Sequence, residues 1–224
     1  MDNSKKGMTM QKPQLAEPAL AQVEIETENM DRSAFLTKGA LAAGAALGAL
    51  AVGPYVGRAF AQAGTSKGDL EILNFALTLE YLEAAFYEQA LTELKPKGEI
   101  GELVETISSD ENEHVDALSA TISDLGGKPV EAPEVDFGDA FSSEDAFLEL
   151  AQTFEDTGVS AYNGAAPDLE SKEILATAGG IVQVEARHAA AIRLLRGELP
   201  TDGAFDKTLT QDEVLAAVKP FIKS

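Results

Sequence analysis

Cysteine and tryptophan are both absent from these 224 residues, and histidine occurs only twice, at His114 and His188. Without Cys there is no disulfide, no thiolate nucleophile, no thiolate-bound zinc, no Cys-ligated iron–sulfur cluster and no rubredoxin-type iron. The same absence leaves the redox compartment open. Bases are scarce as well, 17 Lys and Arg against 38 Asp and Glu. Residues 1–63 hold six acids and six bases, so the whole formal net charge of −21 belongs to residues 64–224. A surface of that sign repels nucleic acid and anionic membranes and attracts cations. It also serves plain solubility.

Residues 1–30 mix Pro, Gln, Glu and Ala without apolar period and read as disordered. Arg32-Ser33-Ala34-Phe35-Leu36-Thr37-Lys38 then opens a run of small apolar residues from Gly39 to Val56. Ala59-Phe60-Ala61 and Ala61-Gln62-Ala63 both fit the small-x-small cleavage rule. This order predicts an export signal within residues 1–63 and a folded domain over residues 64–224, placed in the periplasm or outside the cell. The signal is similar to twin-arginine signals, with Ser33 at the second Arg position. An uncleaved anchor is the alternative: the run is as long as a minimal span, but its Ala and Gly make it a poor one. Either way, the membrane is met only through this segment.

Four long stretches have helical period and no internal proline: about 66–94, 99–125, 142–165 and 169–195. Pro96 and Gly98, Gly126 and Gly127, Pro167 and Asp168, and Gly197 punctuate them. Ser142 or Ser143 caps the third. Thr210-Gln211-Asp212-Glu213 is a capping box, which predicts a short fifth helix from Gln211 to Phe221. The polar segment of residues 128–141 is long enough to run the length of a bundle, so the third helix starts parallel to the second. The expected fold is all-α, a four-helix bundle with one long crossover connection.

Each helix carries an apolar stripe interrupted at its middle by polar residues. Glu80 and Tyr87 lie seven apart, as do Glu155 and Tyr162; Glu111 and His114 lie three apart, as do Glu185 and His188. The Glu/Tyr pairs repeat at an offset of 75 residues and the Glu/His pairs at 74. Each hairpin thus gives one Glu from its first helix and one Glu-x-x-His from its second. Counted from the turns, the heights agree to within about 5 Å at 1.5 Å per residue, so the six side chains converge on one layer. Four buried carboxylates need neutralising. The second and third helices have no Lys or Arg, the first has only Lys67 at its start, and Arg187 points off the seam. Two divalent metal ions match four carboxylates in charge, with two imidazoles completing the shell. The expected ligands are Glu80, Glu111, His114, Glu155, Glu185 and His188.

Other residues near the seam have two readings. Glu83 and Glu113 read first as surface acids and second as alternative ligands. Asp110, one turn before His114, is a candidate to orient a ring nitrogen. Tyr87 and Tyr162 either hydrogen-bond ligand carboxylates or serve as plain core aromatics.

At these residues the sequence resembles the ferritin-like superfamily of ferritins, bacterioferritins and rubrerythrins. The run Asn74-Phe75-Ala76-Leu77-Thr78-Leu79-Glu80-Tyr81-Leu82-Glu83-Ala84-Ala85-Phe86-Tyr87 is similar to exported bacterial ferritin-like proteins, including desiccation-related ones. The resemblance covers about residues 66–197. It implies the same six metal ligands, with Glu111 and Glu185 as bridging carboxylates. Carboxylate-rich sites with two imidazoles suit iron or manganese. The expected cofactor is two iron ions, with manganese as the alternative. The expected activity is ferroxidase or peroxidase-type: oxidation of Fe(II), or reduction of peroxide or oxygen, in stress protection at the cell envelope. The alternatives are a manganese catalase-like activity and a non-catalytic stress protein held together by metal. Self-association is compatible with either.

Overall fold

The computed structural model describes residues 67–223. The export signal predicted within residues 1–63 lies outside them. Among the described residues the regular secondary structure is all helical, apart from one isolated bridge between Val135 and Ile222. No described helix is long and apolar enough to cross a membrane.

Helix α1 spans Lys67–Thr92, α2 Gly98–Asp124, α3 Glu144–Ala165, α4 Lys172–Leu195 and α5 Gln211–Val218. Helix α1 stops two residues before the predicted end. Lys95 turns into the left-handed region, its N–H reaching back to Ala90 O, and Pro96 follows. Ser143 caps α3 by accepting from Ala146 N–H. Helix α4 begins three residues later than predicted. Ala166–Asp168 form a 3₁₀ turn, Leu169 is extended, and Ser171 Oγ accepts from Ile174 N–H. The capping box at Thr210 and Glu213 forms as predicted, but α5 ends at Val218. Pro220 shifts the chain into a 3₁₀ turn, Lys219–Phe221.

Helix α1 packs on α2 and α3 on α4; α1–α3 and α2–α4 contacts close the four-helix bundle. Asp69 in the first turn of α1 accepts from the N–H groups of Glu170 and Ser171 at the start of α4. The starts of α1 and α4 therefore share one end, giving an up-down-down-up order with a long crossover between α2 and α3.

The crossover belongs to the core. Its Phe137 and Ala140 are buried, and Phe137 packs edge-on against Phe86 and Phe154. Phe147 stacks on Phe86, and Phe221 lies edge-on to Phe154. The C-terminal segment pins the crossover from outside through Asp136 N–H to Phe221 O and Lys223 N–H to Glu134 O.

Two apolar clusters fill the bundle. One holds these phenylalanines with Tyr87, Ile107 and Ile192. The other holds Leu73, Leu77, Leu118, Ile122, Tyr162, Ile174 and Ile181. Between them lies the polar layer that interrupts every stripe.

Candidate metal centre

The long helices bring Glu80, Glu111, His114, Glu155, Glu185 and His188 together at mid-height. The four glutamates are fully buried, and the His114 and His188 side chains are only 12% and 6% exposed. Their donor atoms fall into two overlapping groups. One is Glu80, Glu111, His114 and Glu185; the other is Glu111, Glu155, Glu185 and His188. Within each group the atoms lie within 4.8 Å of one another. Glu111 and Glu185 belong to both.

The close approaches inside the layer point at common centres. His114 Nδ1 lies 3.2 Å from Glu80 Oε2, 3.2 Å from Glu111 Oε2 and 3.0 Å from Glu185 Oε1. One ring nitrogen carries at most one proton and cannot serve three carboxylates. His188 Nδ1 lies 3.0 Å from Glu111 Oε1 and 3.5 Å from Glu155 Oε2, yet none of these three atoms makes a hydrogen bond. Neither oxygen of Glu185 does either. Buried polar atoms left without partners are costly. Here they surround two points at which a cation would satisfy them together.

Tyrosines and an aspartate aim the layer. Tyr87 Oη donates to Glu155 Oε1 and Tyr162 Oη to Glu80 Oε1. The pairing crosses between hairpins, so neither tyrosine serves the glutamate two turns away on its own helix. Each fixes one oxygen and turns the other toward a histidine. His188 Nε2 lies 3.1 Å from Asp110 Oδ2. A carboxylate there accepts a hydrogen bond from Nε2–H and turns Nδ1 toward the cluster, the orientation of a metal-ligating imidazole. Asp110 thus orients a ring nitrogen, as its place before His114 suggests, but the ring it reaches is that of His188, across the bundle.

Glu113 is exposed, as a surface acid should be. Glu83 is not: it is 3% exposed and lies among the four glutamates. This corrects its first reading as a surface acid. The signal lay in the repeat. The 75-residue offset that relates Glu80 to Glu155 sends Glu83 to Gly158. A Cβ at Gly158 would stand 3.2 Å from Glu83 Oε1, so the missing side chain on α3 makes room for the extra carboxylate from α1. Arg193, the buried base on α4, binds Asp156 at 2.7 Å and Asp202 at 3.3 Å, away from the layer.

Without a cation, protons must neutralise the layer. Burial drives Glu80 up to about 7 against the pull of His114. Burial and then Glu111 push Glu185 well up; burial and then Glu185 do the same to Glu83. Burial raises Glu155 against the opposing charge of His188. Glu111 departs from the pattern: burial is outweighed by the two histidines that face it, His114 and His188, which hold it well below the usual range. Burial would lower both histidines, but Glu80 and Glu155 lead the carboxylates that raise them instead. Such protons are what an incoming cation would displace.

The sequence model for a ferritin-like domain matches residues 68–198, more than half of the chain. The chain belongs to the ferritin-like family. A comparison with curated proteins finds no match. In this ferritin-like chain the matched region starts with α1 and ends just past α4, so it contains every residue of the polar layer. The crossover is inside it, and α5 with its closing turn lies beyond it.

Proposed function

We propose that the polar layer holds two redox-active metal ions, with iron the preferred metal, and that the protein uses them to oxidise Fe(II) or to reduce peroxide or dioxygen. The observation that carries this reading is the sharing of Glu111 and Glu185 between two four-residue donor groups whose buried atoms lack other partners. Glu80 and His114 would complete one position, Glu155 and His188 the other. Carboxylate oxygens outnumber imidazole nitrogens, a donor set that favours iron or manganese over copper. Two bound irons supply two electrons at one place, the number that a peroxide or a dioxygen takes up in its first two-electron reduction.

The chain's own groups supply the rest. Tyr87 and Tyr162 hold Glu155 and Glu80 in position. Asp110 holds the His188 ring with Nδ1 inward. Within the polar layer Glu83 is the buried carboxylate outside both donor groups, placed to accept or give a proton beside Glu185. The apolar clusters above and below exclude water from the layer.

The test is elemental analysis of protein purified without added metal, followed by stopped-flow mixing of Fe(II)-loaded protein with peroxide or with dioxygen. The reading expects two metal ions per chain, one for each donor group, and an absorbance change that Glu80→Ala abolishes. If the parent and Glu80→Ala both behave like free Fe(II), the metal only braces the bundle.

The basic, apolar, small-x-small order before residue 64 supports export, with the work done outside the cytoplasmic membrane in envelope stress protection. N-terminal sequencing of native protein should find a start near Gln62 or Gly64. Cytosolic protein with residues 1–60 intact would refute it.

A further inference from the structure

The two poles of the bundle are filled differently. Below Tyr87 the phenylalanines of α1, α3 and the crossover pack ring against ring. Below Tyr162 there is a cavity of about 30 Å³, lined almost wholly by apolar atoms. All four long helices contribute to it, with Leu73, Leu118, Ala161, Tyr162, Ala178 and Ile181 among its walls.

Its position ties it to the polar layer. The Tyr162 ring is one wall, and its hydroxyl donates to Glu80. Leu118 and Ile181 each stand one helical turn from a layer residue, His114 and Glu185, a rise of about 6 Å. On the outer side the walls include Ala76 and Ala178, both small and only half-buried. The cavity therefore lies within about one helical turn of the polar layer, with half-buried small residues in its wall.

We propose that this cavity binds dioxygen and delivers it to the layer, which makes dioxygen rather than peroxide the oxidant of the proposed reaction. Size and polarity select the occupant. Roughly 10–15 Å³ is enough for one water, so the space takes a diatomic molecule. Water needs two to four polar partners and finds few here, and apolar cavities of this kind stay dry and take up xenon or other apolar guests. Hydrogen peroxide carries two O–H donors and would forfeit their hydrogen bonds on entry. Dioxygen has none to lose.

The inference about the oxidant rests on the two-metal reading; the binding site does not. Xenon is the probe, applied to metal-free protein by xenon-pressurised crystallography or ¹²⁹Xe NMR. Xenon is expected below Tyr162, and Ala178→Phe or Ala76→Leu, which fill the space from opposite walls, should abolish it. Both substitutions lie outside the polar layer, and circular dichroism establishes that each variant is folded. Iron-loaded variants should then oxidise several-fold more slowly with dioxygen and at the parent rate with peroxide, with iron content unchanged. An empty cavity in the parent under xenon overturns the binding site. Equal slowing with both oxidants, or no slowing with dioxygen, overturns the delivery role. If the protein binds no iron, the two-metal reading falls and the xenon result stands by itself.

Discussion

Tyr87 and Tyr162 carry a disproportionate load for two hydroxyl groups. Each ends in an apolar cluster and meets a carboxylate from the opposite hairpin. Tyr87→Phe keeps the ring and removes the donor, leaving Glu155 Oε1 buried and unpaired. With Glu155 free to rotate, metal affinity should fall about 10–100-fold, the usual cost of losing a group that orients a ligand. Isothermal titration with Mn(II), which avoids oxidation, measures it; an unchanged affinity would return the tyrosine to the role of core aromatic. Glu83 makes a second case. Burial and the Glu185 charge both oppose its ionisation. Glu83→Gln should therefore raise the stability of metal-free protein near neutral pH by about 1–3 kcal/mol, the scale of one badly matched buried polar group. A lower melting temperature in the metal-free variant would mean that Glu83 has a stabilising partner. Neither the crossed tyrosine pairing nor the burial of Glu83 follows from helical period alone. Both depend on which helices are neighbours across the bundle, and the period of one helix is silent on that. The six residues of the two donor groups were legible because polar residues seldom interrupt apolar stripes at the same height twice, 74 or 75 residues apart, by chance.

Among the elements, the long helices announce themselves and the crossover does not. Period, capping and the glycine and proline stops place α1 to α4 to within three residues, because the same local chemistry that ends a helix is written at its ends. Ser171 illustrates the remaining error: it caps α4, but the apolar Leu169 before it continues the stripe and draws the boundary forward. The segment of residues 128–141 reads as a polar strap, since its apolar residues are scattered without period among prolines and acids. Yet Phe137 is 4% exposed and touches rings from α1 and α3. Phe137→Ala should cost about 3–5 kcal/mol, as for any large core aromatic. Glu131→Ala, on the exposed side of the same segment, should fall within about 0.5 kcal/mol of the parent. Urea melts of the two variants decide the matter. Similar midpoints would mean that the crossover is a tether and that α3 is held by the hairpins alone.

At the scale of the whole molecule, the chain combines a net charge of −21 with a layer of buried acids, and pH should act on the two in distinguishable ways. In metal-free protein Glu80 titrates near 7 when folded and near its ordinary 4.5 when unfolded. Between those values the folded chain holds a proton that the unfolded chain has released, so raising the pH favours unfolding. For Glu80 alone this is on the order of 3 kcal/mol across the window. Glu83, Glu155 and Glu185 are raised too and act with the same sign. The histidines, raised above 6.5, extend the loss to higher pH. Glu111 is held low and acts in the opposite direction, but its window lies below 4.5. Metal-free protein should therefore melt at lower temperature at pH 8 than at pH 5. Metal-loaded protein should do the reverse over the same range. Its ligands must be deprotonated to bind, so the stabilisation by metal grows as pH rises. Surface repulsion among the exposed acids also grows with pH, but salt screens it, with a Debye length of about 3 Å at 1 M, and leaves the buried layer untouched. Melting curves at pH 5 to 8 in 1 M salt, with chelator and with Mn(II), should thus diverge as pH rises. Parallel curves would mean that no metal couples to these carboxylates. A metal-free protein most stable at pH 8 would mean that the layer does not hold its protons when the metal is gone.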